Sequence, residues 1–229
     1  GGIGGKGIQI NNKGTNTWYQ AHNDWFEGCA YGLGSAASFS GLDLGSFSTT
    51  DVLQISGYAV VGWTDNSDWV AGRLQYKVWK QGDSEPGTWT TIDVGNYNND
   101  GGATQVVCSN GNNRIVGYDN GATNINPGAA GTYNIKIQAL GRMKHVGGSF
   151  NANDGTEVTA TFVVSAVAPV VAATAINDNN VGATTAEING NVTSDGGSAV
   201  TERGIVYGTS SNPTTLNTKV TAAGTTGAY

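Results

Sequence analysis

Charge is scarce in this sequence. Asp, Glu, Lys and Arg make up 12% of the 229 residues, about half of the roughly 25% that is usual in soluble domains. The 11 basic residues are outnumbered by 17 acidic ones, which gives a formal net charge of −6. Without a basic stripe to neutralise phosphates, nucleic acid is not an expected partner. Long apolar runs are lacking as well, and none approaches the ~18 residues that indicate a membrane span.

Residues that carry chemistry are few. The two histidines, His22 and His145, lie far apart without the spacing of a zinc site. The GxSxG, P-loop, HExxH and CxxC patterns are absent. No two acidic residues stand out as the carboxylates that a glycoside hydrolase places about 5–9 Å apart. We therefore expect no catalytic residues and no enzyme, with a glycoside hydrolase as the residual alternative.

Methionine and cysteine bear on export. Met143 is the only methionine, so Gly1 is not a translation start, and removal of a signal peptide is one explanation. Cys29 and Cys108 are the only cysteines. In an exported protein they could form one disulfide that closes a long loop, and the alternative is two buried thiols. We expect an extracellular or cell-surface location and leave both states of the cysteines open.

Glycine and β-forming residues are abundant. Glycine occupies 36 positions, roughly twice its usual share of ~7%. The stretch 71–95 begins with alternating apolar and polar side chains, as in a strand with one buried face, and continues through a polar turn into a second β-rich segment. Its apolar positions are Leu74, Tyr76 and Val78. Residues 132–140 alternate in the same way, and evenly spaced strands predict an all-β fold of β-sandwich type.

The last quarter of the chain carries three short motifs. They are TSDGGS, then ERG with a tyrosine shortly after it, then SSNPT, all between Val192 and Val220. With them the segment resembles the fibronectin type III-like repeats of large secreted proteins of the Bacteroidetes. The resemblance implies an immunoglobulin-like β-sandwich whose three further strands would begin near Ala223, so we interpret this module as truncated.

The first part of the chain carries looser motifs. They are LDLGSFSTTDVLQISG at 42–57, LQYKVWKQGDSEPGTWTTIDV at 74–94, AAGTYNIKIQALG at 129–141 and DGTEVTATFVV at 154–164. These runs resemble an N-terminal module that heads many Bacteroidetes proteins, and the resemblance implies export by the type IX secretion system. The predicted organisation is a β-sandwich module at 1–166, a linker at 167–172 and a fibronectin type III-like module at 173–229.

Tryptophans supply the candidate binding residues. Trp79 falls on the polar face of its predicted strand, where an indole ring could stack on a sugar. The alternative is that a loop or a second subunit covers this face. Trp63 and Trp69, which flank a polar turn, are the other candidates for ligand binding.

No cofactor is expected, and Ca²⁺ is the one metal left open. Several loops are rich in the oxygen ligands that a hard cation needs, and ordinary turns are the alternative explanation. These loops are 65–68, 96–102, 151–155 and 177–180.

Together these features predict an extracellular structural or adhesive surface protein. It would act through sheet surfaces and edges, as a self-assembling filament or surface-layer component. Its expected partners are copies of itself or other cell-surface proteins. The alternative function is a carbohydrate-binding or enzyme-accessory module that binds glycans through exposed aromatic rings.

Overall fold

The computed structural model describes residues 2–22, 35–63, 70–93, 105–107, 113–118, 122–143 and 156–229. The predicted all-β fold is confirmed, because these ranges consist mainly of strands and contain no α-helix. No helix in them is long and apolar enough to cross a membrane. The chain divides into two compact units. Unit 1 comprises Gly1–Pro127 and Gly131–Val164, and unit 2 comprises Gly128–Ala130 and Ser165–Tyr229.

The strands of unit 1 form two sheets. In chain order they are β1 (Gly2–Asn12), β2 (Thr15–His22), β3 (Asp43–Ser48), β4 (Leu53–Trp63), β5 (Val70–Lys80), β6 (Thr90–Asp93), β7 (Gln105–Val107), β8 (Asn113–Tyr118), β9 (Thr123–Asn124), β10 (Gly131–Met143) and β11 (Val158–Ser165). The six-stranded sheet runs β2-β1-β4-β8-β7, with β9 also paired to β4, and the five-stranded sheet runs β3-β11-β10-β5-β6. The pairings described within both sheets are antiparallel.

The core of unit 1 lies between these two sheets. Ile8 and Tyr58 face it from the six-stranded sheet, and Ile135 and Phe162 face it from the five-stranded sheet, all fully buried. Tyr133 stacks on Phe162 with ring centroids 5.4 Å apart. Aromatic pairs of this kind add to the stabilisation from burial alone. Unit 1 is therefore a two-layer β-sandwich with a hydrophobic core between its sheets.

The burial pattern of β11 shows how the five-stranded sheet is oriented. Along Val158–Ser165 buried residues alternate with partly or fully exposed ones, and β10 alternates in the same way from Tyr133 to Leu140. A strand with period two must present every second side chain to the face away from the core. We call this face of the five-stranded sheet the outer face.

Unit 2 consists of two small sheets. Its strands are β12 (Val170–Ile176), β13 (Ile188–Ser194), β14 (Arg203–Tyr207), β15 (Thr218–Ala222) and β16 (Gly227–Ala228). One sheet runs β12-β13-β16 and the other pairs β14 with β15. The first strand thus begins at Val170, inside the segment 167–172 that the sequence predicted as a linker. Among the apolar side chains described in unit 2, Val192 alone is buried.

We expect the core of unit 1 to control stability. Replacing Phe162, which is 0% exposed, by alanine should lower the free energy of unfolding by about 3–5 kcal/mol, because it leaves a cavity against Tyr133 and Phe47. Val163, the next residue on the same strand, is 36% exposed, and Val163→Ala should change stability by less than about 0.5 kcal/mol. Chemical denaturation measures both, and equal losses would contradict the assigned strand orientation.

Candidate binding site

The outer face is built from the pairing of β5 with β10. All of β5 pairs with β10, from Val70 opposite Met143 to Lys80 opposite Tyr133. In this register Trp79 lies opposite Asn134, Lys77 opposite Lys136 and Gln75 opposite Gln138. All six are outer-face positions, because they alternate with the buried residues of the two strands. The pairing therefore collects polar and aromatic side chains from distant parts of the sequence into adjoining rows.

Lys77 and Lys136 form the middle one of these three cross-strand pairs. Like charges directly opposite each other on neighbouring strands are destabilising. Glu85, from the connection between β5 and β6, offsets the two charges. Its Oε1 accepts a hydrogen bond from Lys77 Nζ at 3.0 Å, and its Oε2 accepts one from Lys136 Nζ at 2.7 Å. Lys136 Nζ also lies 3.5 Å from Glu157 Oε2. The result is a bridged cluster of alternating charge.

Each lysine also contacts a tryptophan ring. Lys77 Nζ lies 4.4 Å from the ring centroid of Trp89, and Lys136 Nζ lies 5.8 Å from that of Trp79. Both distances are within the range of about 6 Å for cation–π attraction. The side chains of Lys77 and Lys136 are only 9% and 20% exposed, and both indoles are half-buried. Each lysine thus lies against one indole ring while both ammonium groups reach the Glu85 carboxylate.

The charges of the cluster are fixed by this geometry. Hydrogen bonds from Lys136 and Lys77 lower the pKa of Glu85, and the hydrogen bond to Glu85 raises the pKa of Lys136. The carboxylate and the ammonium group are therefore both charged across the neutral range. A lysine whose pKa is raised is a poor general base near pH 7. The cluster is suited to holding a ligand more than to transferring protons.

Amide side chains extend the cluster along the strands. Gln75 Nε2 donates to Gln138 Oε1 at 2.6 Å, and Gln81 Nε2 donates to Asn134 Oδ1 at 3.3 Å. Such pairs hold amide groups at fixed positions on the outer face. We use the name outer-face cluster for the following set: Gln75, Lys77, Trp79, Glu85, Trp89, Asn134, Lys136 and Gln138.

The predicted binding residues are distributed over different places. Trp79 belongs to the outer-face cluster. Trp63 is the last residue of β4, in the six-stranded sheet, so it and Trp79 belong to different sheets. Trp69 lies outside the described residues, as do Cys29 and Cys108. Ligand binding by the tryptophans and the disulfide both stay predictions.

One of the four loops proposed for calcium lies within the described residues. The loops at 65–68, 96–102 and 151–155 lie entirely outside them. In the loop 177–180, the Asn177 side chain accepts a hydrogen bond from Asn179 N and caps the 3-10 turn Asp178–Asn180. No group of three or more His, Cys, Asp or Glu that could hold a metal ion occurs in the described part of the chain. Calcium binding stays a prediction.

The motif residues of unit 2 form turns and side-chain hydrogen bonds to the backbone. In TSDGGS, Ser194 Oγ accepts from Gly196 N and Asp195 Oδ1 accepts from Gly197 N. Gly196 has a φ of +69°, and a Cβ there would collide with the carbonyl oxygen of Val167, so glycine is required. In ERG, the Arg203 guanidinium donates to the carbonyl oxygens of residues 223 and 225–227. These motif residues therefore have a structural role.

Sequence reasoning did not identify the partners of Trp79. Glu85 was one of several acidic residues in a turn, where such side chains usually bond to nearby backbone. Lys77 and Lys136 were each visible on the polar face of a clean strand. The missing information was that β5 and β10 are neighbours, which a two-residue period does not specify.

No protein-family model matches the chain, and the search of curated proteins found no match either. Because fold alone does not determine function, the outer-face cluster is the main basis for a functional proposal.

We expect the contacts of Glu85 to stabilise unit 1 in a pH-dependent way. Folding lowers the pKa of Glu85 below its ordinary value of 4.5, so its contribution is complete above pH 4.5 and is lost as the pH falls through the lower folded-state pKa. Folding raises the pKa of Lys136 above 10.5, so that contribution is present below pH 10.5 and is lost as the pH rises through the folded-state value.

Chemical denaturation over a pH series measures this effect. Glu85→Gln should be less stable than the wild type at neutral pH, and the difference should shrink at acid pH. Asp83→Asn, in the same exposed connection, is the control and should leave the wild-type profile unchanged. A Glu85→Gln profile parallel to that of the wild type would show that the bridge does not stabilise the fold.

Proposed function

We propose that the chain is an extracellular adhesive protein of a cell surface and that it works by binding through the outer face of unit 1. The observation that supports this proposal is the outer-face cluster, in which two indoles, two lysines and paired amides adjoin on one sheet face. The resemblance to exported Bacteroidetes modules supports the extracellular location. Export by the type IX secretion system belongs to the same proposal.

Several physical properties of the cluster favour recognition. Indole rings provide a large apolar area with few rotatable bonds, so ordering them on a ligand costs little entropy. Here the rings are ordered beforehand by cation–π contacts with Lys77 and Lys136. The strands beneath belong to a sandwich with a fully buried core. A binding surface on a rigid scaffold loses little freedom when the ligand arrives.

Glycans are the ligand class that we propose for this surface. A sugar ring has apolar C–H faces and a rim of hydroxyl groups, which match an indole bordered by amides. Trp79 adjoins Asn134 across the strand pair, and Gln81 bonds to the same asparagine. The adhesive function and the carbohydrate-binding function expected as its alternative then become one activity.

Removal of Trp79 tests the proposal. On an array of glycans and on whole cells, the wild-type chain should bind saturably, and Trp79→Ala should weaken that binding by about tenfold or more, since a buried aromatic contact at an interface contributes on the order of 2 kcal/mol. Trp18→Ala removes a half-buried tryptophan of β2, in the other sheet, and should bind as the wild type does. Equal loss in both variants, or no binding by the wild type, would contradict the proposal.

Self-association is a second candidate, favoured by an observation in unit 2. Large apolar side chains are exposed there, among them Val170, Val171, Tyr207 and Val220. Val220 is 57% exposed at the centre of β15, and the described pairing of β15 is with β14 only. An edge strand with exposed apolar residues can pair with the same strand of a second copy, in a two-fold arrangement. The proposed occupant is therefore β15 of another chain.

Sedimentation velocity over a range of concentrations tests this second candidate. The wild type should sediment faster as its concentration rises, and Val220→Lys should abolish the change because a charge on an edge strand opposes pairing. Leu216→Lys places the same charge on an almost fully exposed residue just before the strand and should leave association intact. A wild type that remains monomeric throughout, or one blocked equally by both changes, would contradict pairing through β15.

A further inference from the structure

We propose that the outer-face cluster binds a carboxylate-bearing sugar, such as a uronic acid unit of an acidic polysaccharide, between Lys77 and Lys136, in the place that the Glu85 carboxylate occupies. This inference rests on the proposed adhesive function and names the ligand class of the same surface.

The lysine pair has the geometry of a carboxylate receptor. One ammonium group donates to each oxygen of the Glu85 carboxylate, at 3.0 and 2.7 Å. The two lysines are held opposite each other by the register of β5 and β10, and their stems are mostly buried. Two donors fixed on a rigid sheet remain in position when the carboxylate between them is exchanged. Charge-assisted hydrogen bonds of this kind are among the stronger polar contacts in proteins.

The carboxylate that now fills the receptor belongs to an exposed connection between two strands. The Glu85 side chain is 36% exposed, and its neighbours from Gln81 to Ser84 are exposed as well. In this connection the Glu85 carboxylate and the Trp89 ring contact lysines of the sheet. An arriving carboxylate would take over the hydrogen bonds from both lysines, so Glu85 can leave without either lysine losing its partner.

The surroundings favour a sugar over an acidic peptide. Trp79 and Trp89 each lie beside one of the two lysines, so a ligand whose carboxylate sits between the lysines meets an indole next to either one. The amide pair Gln75–Gln138 occupies the adjoining row of the sheet. Charge alone would suffice for an acidic peptide, whereas indoles and amides together suit the C–H faces and hydroxyl groups of a saccharide.

Glu85 makes the site selective through competition. A neutral sugar offers the lysines hydroxyl oxygens, which are weaker acceptors than a carboxylate, and leaves the internal carboxylate in place. An acidic sugar replaces one carboxylate by another and keeps both lysines paired. Removing the internal carboxylate should consequently strengthen the binding of acidic ligands and change the binding of neutral ligands much less.

Isothermal titration calorimetry with the whole chain tests this inference. The probes are an oligogalacturonate, a neutral cello-oligosaccharide and poly-glutamate. The wild type should bind the oligogalacturonate more tightly than the neutral probe, with an affinity that falls as salt is added. Glu85→Gln should tighten oligogalacturonate binding by about tenfold, because the internal carboxylate no longer competes for the two lysines.

The loss-of-function arm uses the lysines. Lys136→Met keeps the stem and removes the charge, so it should abolish binding of the oligogalacturonate. Lys219→Met is the matched control, because Lys219 pairs with Glu202 in unit 2, and it should leave binding unchanged. Near-ultraviolet circular dichroism checks folding. If Lys136→Met is misfolded, the salt dependence and the Glu85→Gln result decide the matter by themselves.

Three outcomes would overturn the inference. The first is oligogalacturonate binding that is unchanged in Glu85→Gln. The second is poly-glutamate binding that equals that of the oligogalacturonate and persists in Trp79→Ala, which would indicate an acidic peptide. The third is binding of the neutral probe alone. If that neutral binding is lost in Trp79→Ala, the proposed adhesive function stands and only the ligand class is wrong.

Discussion

The antiparallel pairing of β5 with β10 is the constraint on which the outer face depends. Side chains alternate between the two faces of a strand, so a single register fixes both faces at once. The register that buries Leu74, Ile135 and Ile137 also places Lys77 opposite Lys136. A slip by one residue would expose the apolar set and bury the lysines. Hydrophobic burial in the core therefore enforces an arrangement of like charges that would not form by itself.

The connection between β5 and β6 completes this arrangement. A minimal hairpin would join the two strands in about two residues, whereas here residues 81–89 separate them. The extra length carries Glu85 back to both lysines and Trp89 onto Lys77. The repulsion within the lysine pair is offset by a carboxylate that the core does not hold. The cluster thus combines a rigid part, set by the sheet, with an exposed part that is attached through side-chain contacts.

Much of the fold could be predicted from the sequence, because period-two alternation is a local signal. It identified β5 and β10 and placed Trp79 on the polar face of its strand, as the structure has it. It could not identify which strands are neighbours, since Lys77 and Lys136 are far apart in sequence and many pairings would bury the same residues. The hydrogen-bond partners of Glu85 could not be predicted for a related reason. A run of polar residues predicts a turn, but the sheet residues that this turn contacts depend on the tertiary structure.

The internal carboxylate gives the proposed site a selectivity that the lysines alone would lack. Two bare lysines on a sheet would attract any anion, including phosphate and the acidic surfaces of other proteins. With Glu85 between them, a ligand must provide a carboxylate in the same place. It must also gain enough binding free energy from contacts with Trp79 and Trp89 to displace the Glu85 carboxylate. Each site then binds weakly, and an adhesive protein displayed in many copies can gain its strength from multivalency. Weak single contacts with a specific chemical requirement would let the proposed site favour an acidic polysaccharide over neutral ones.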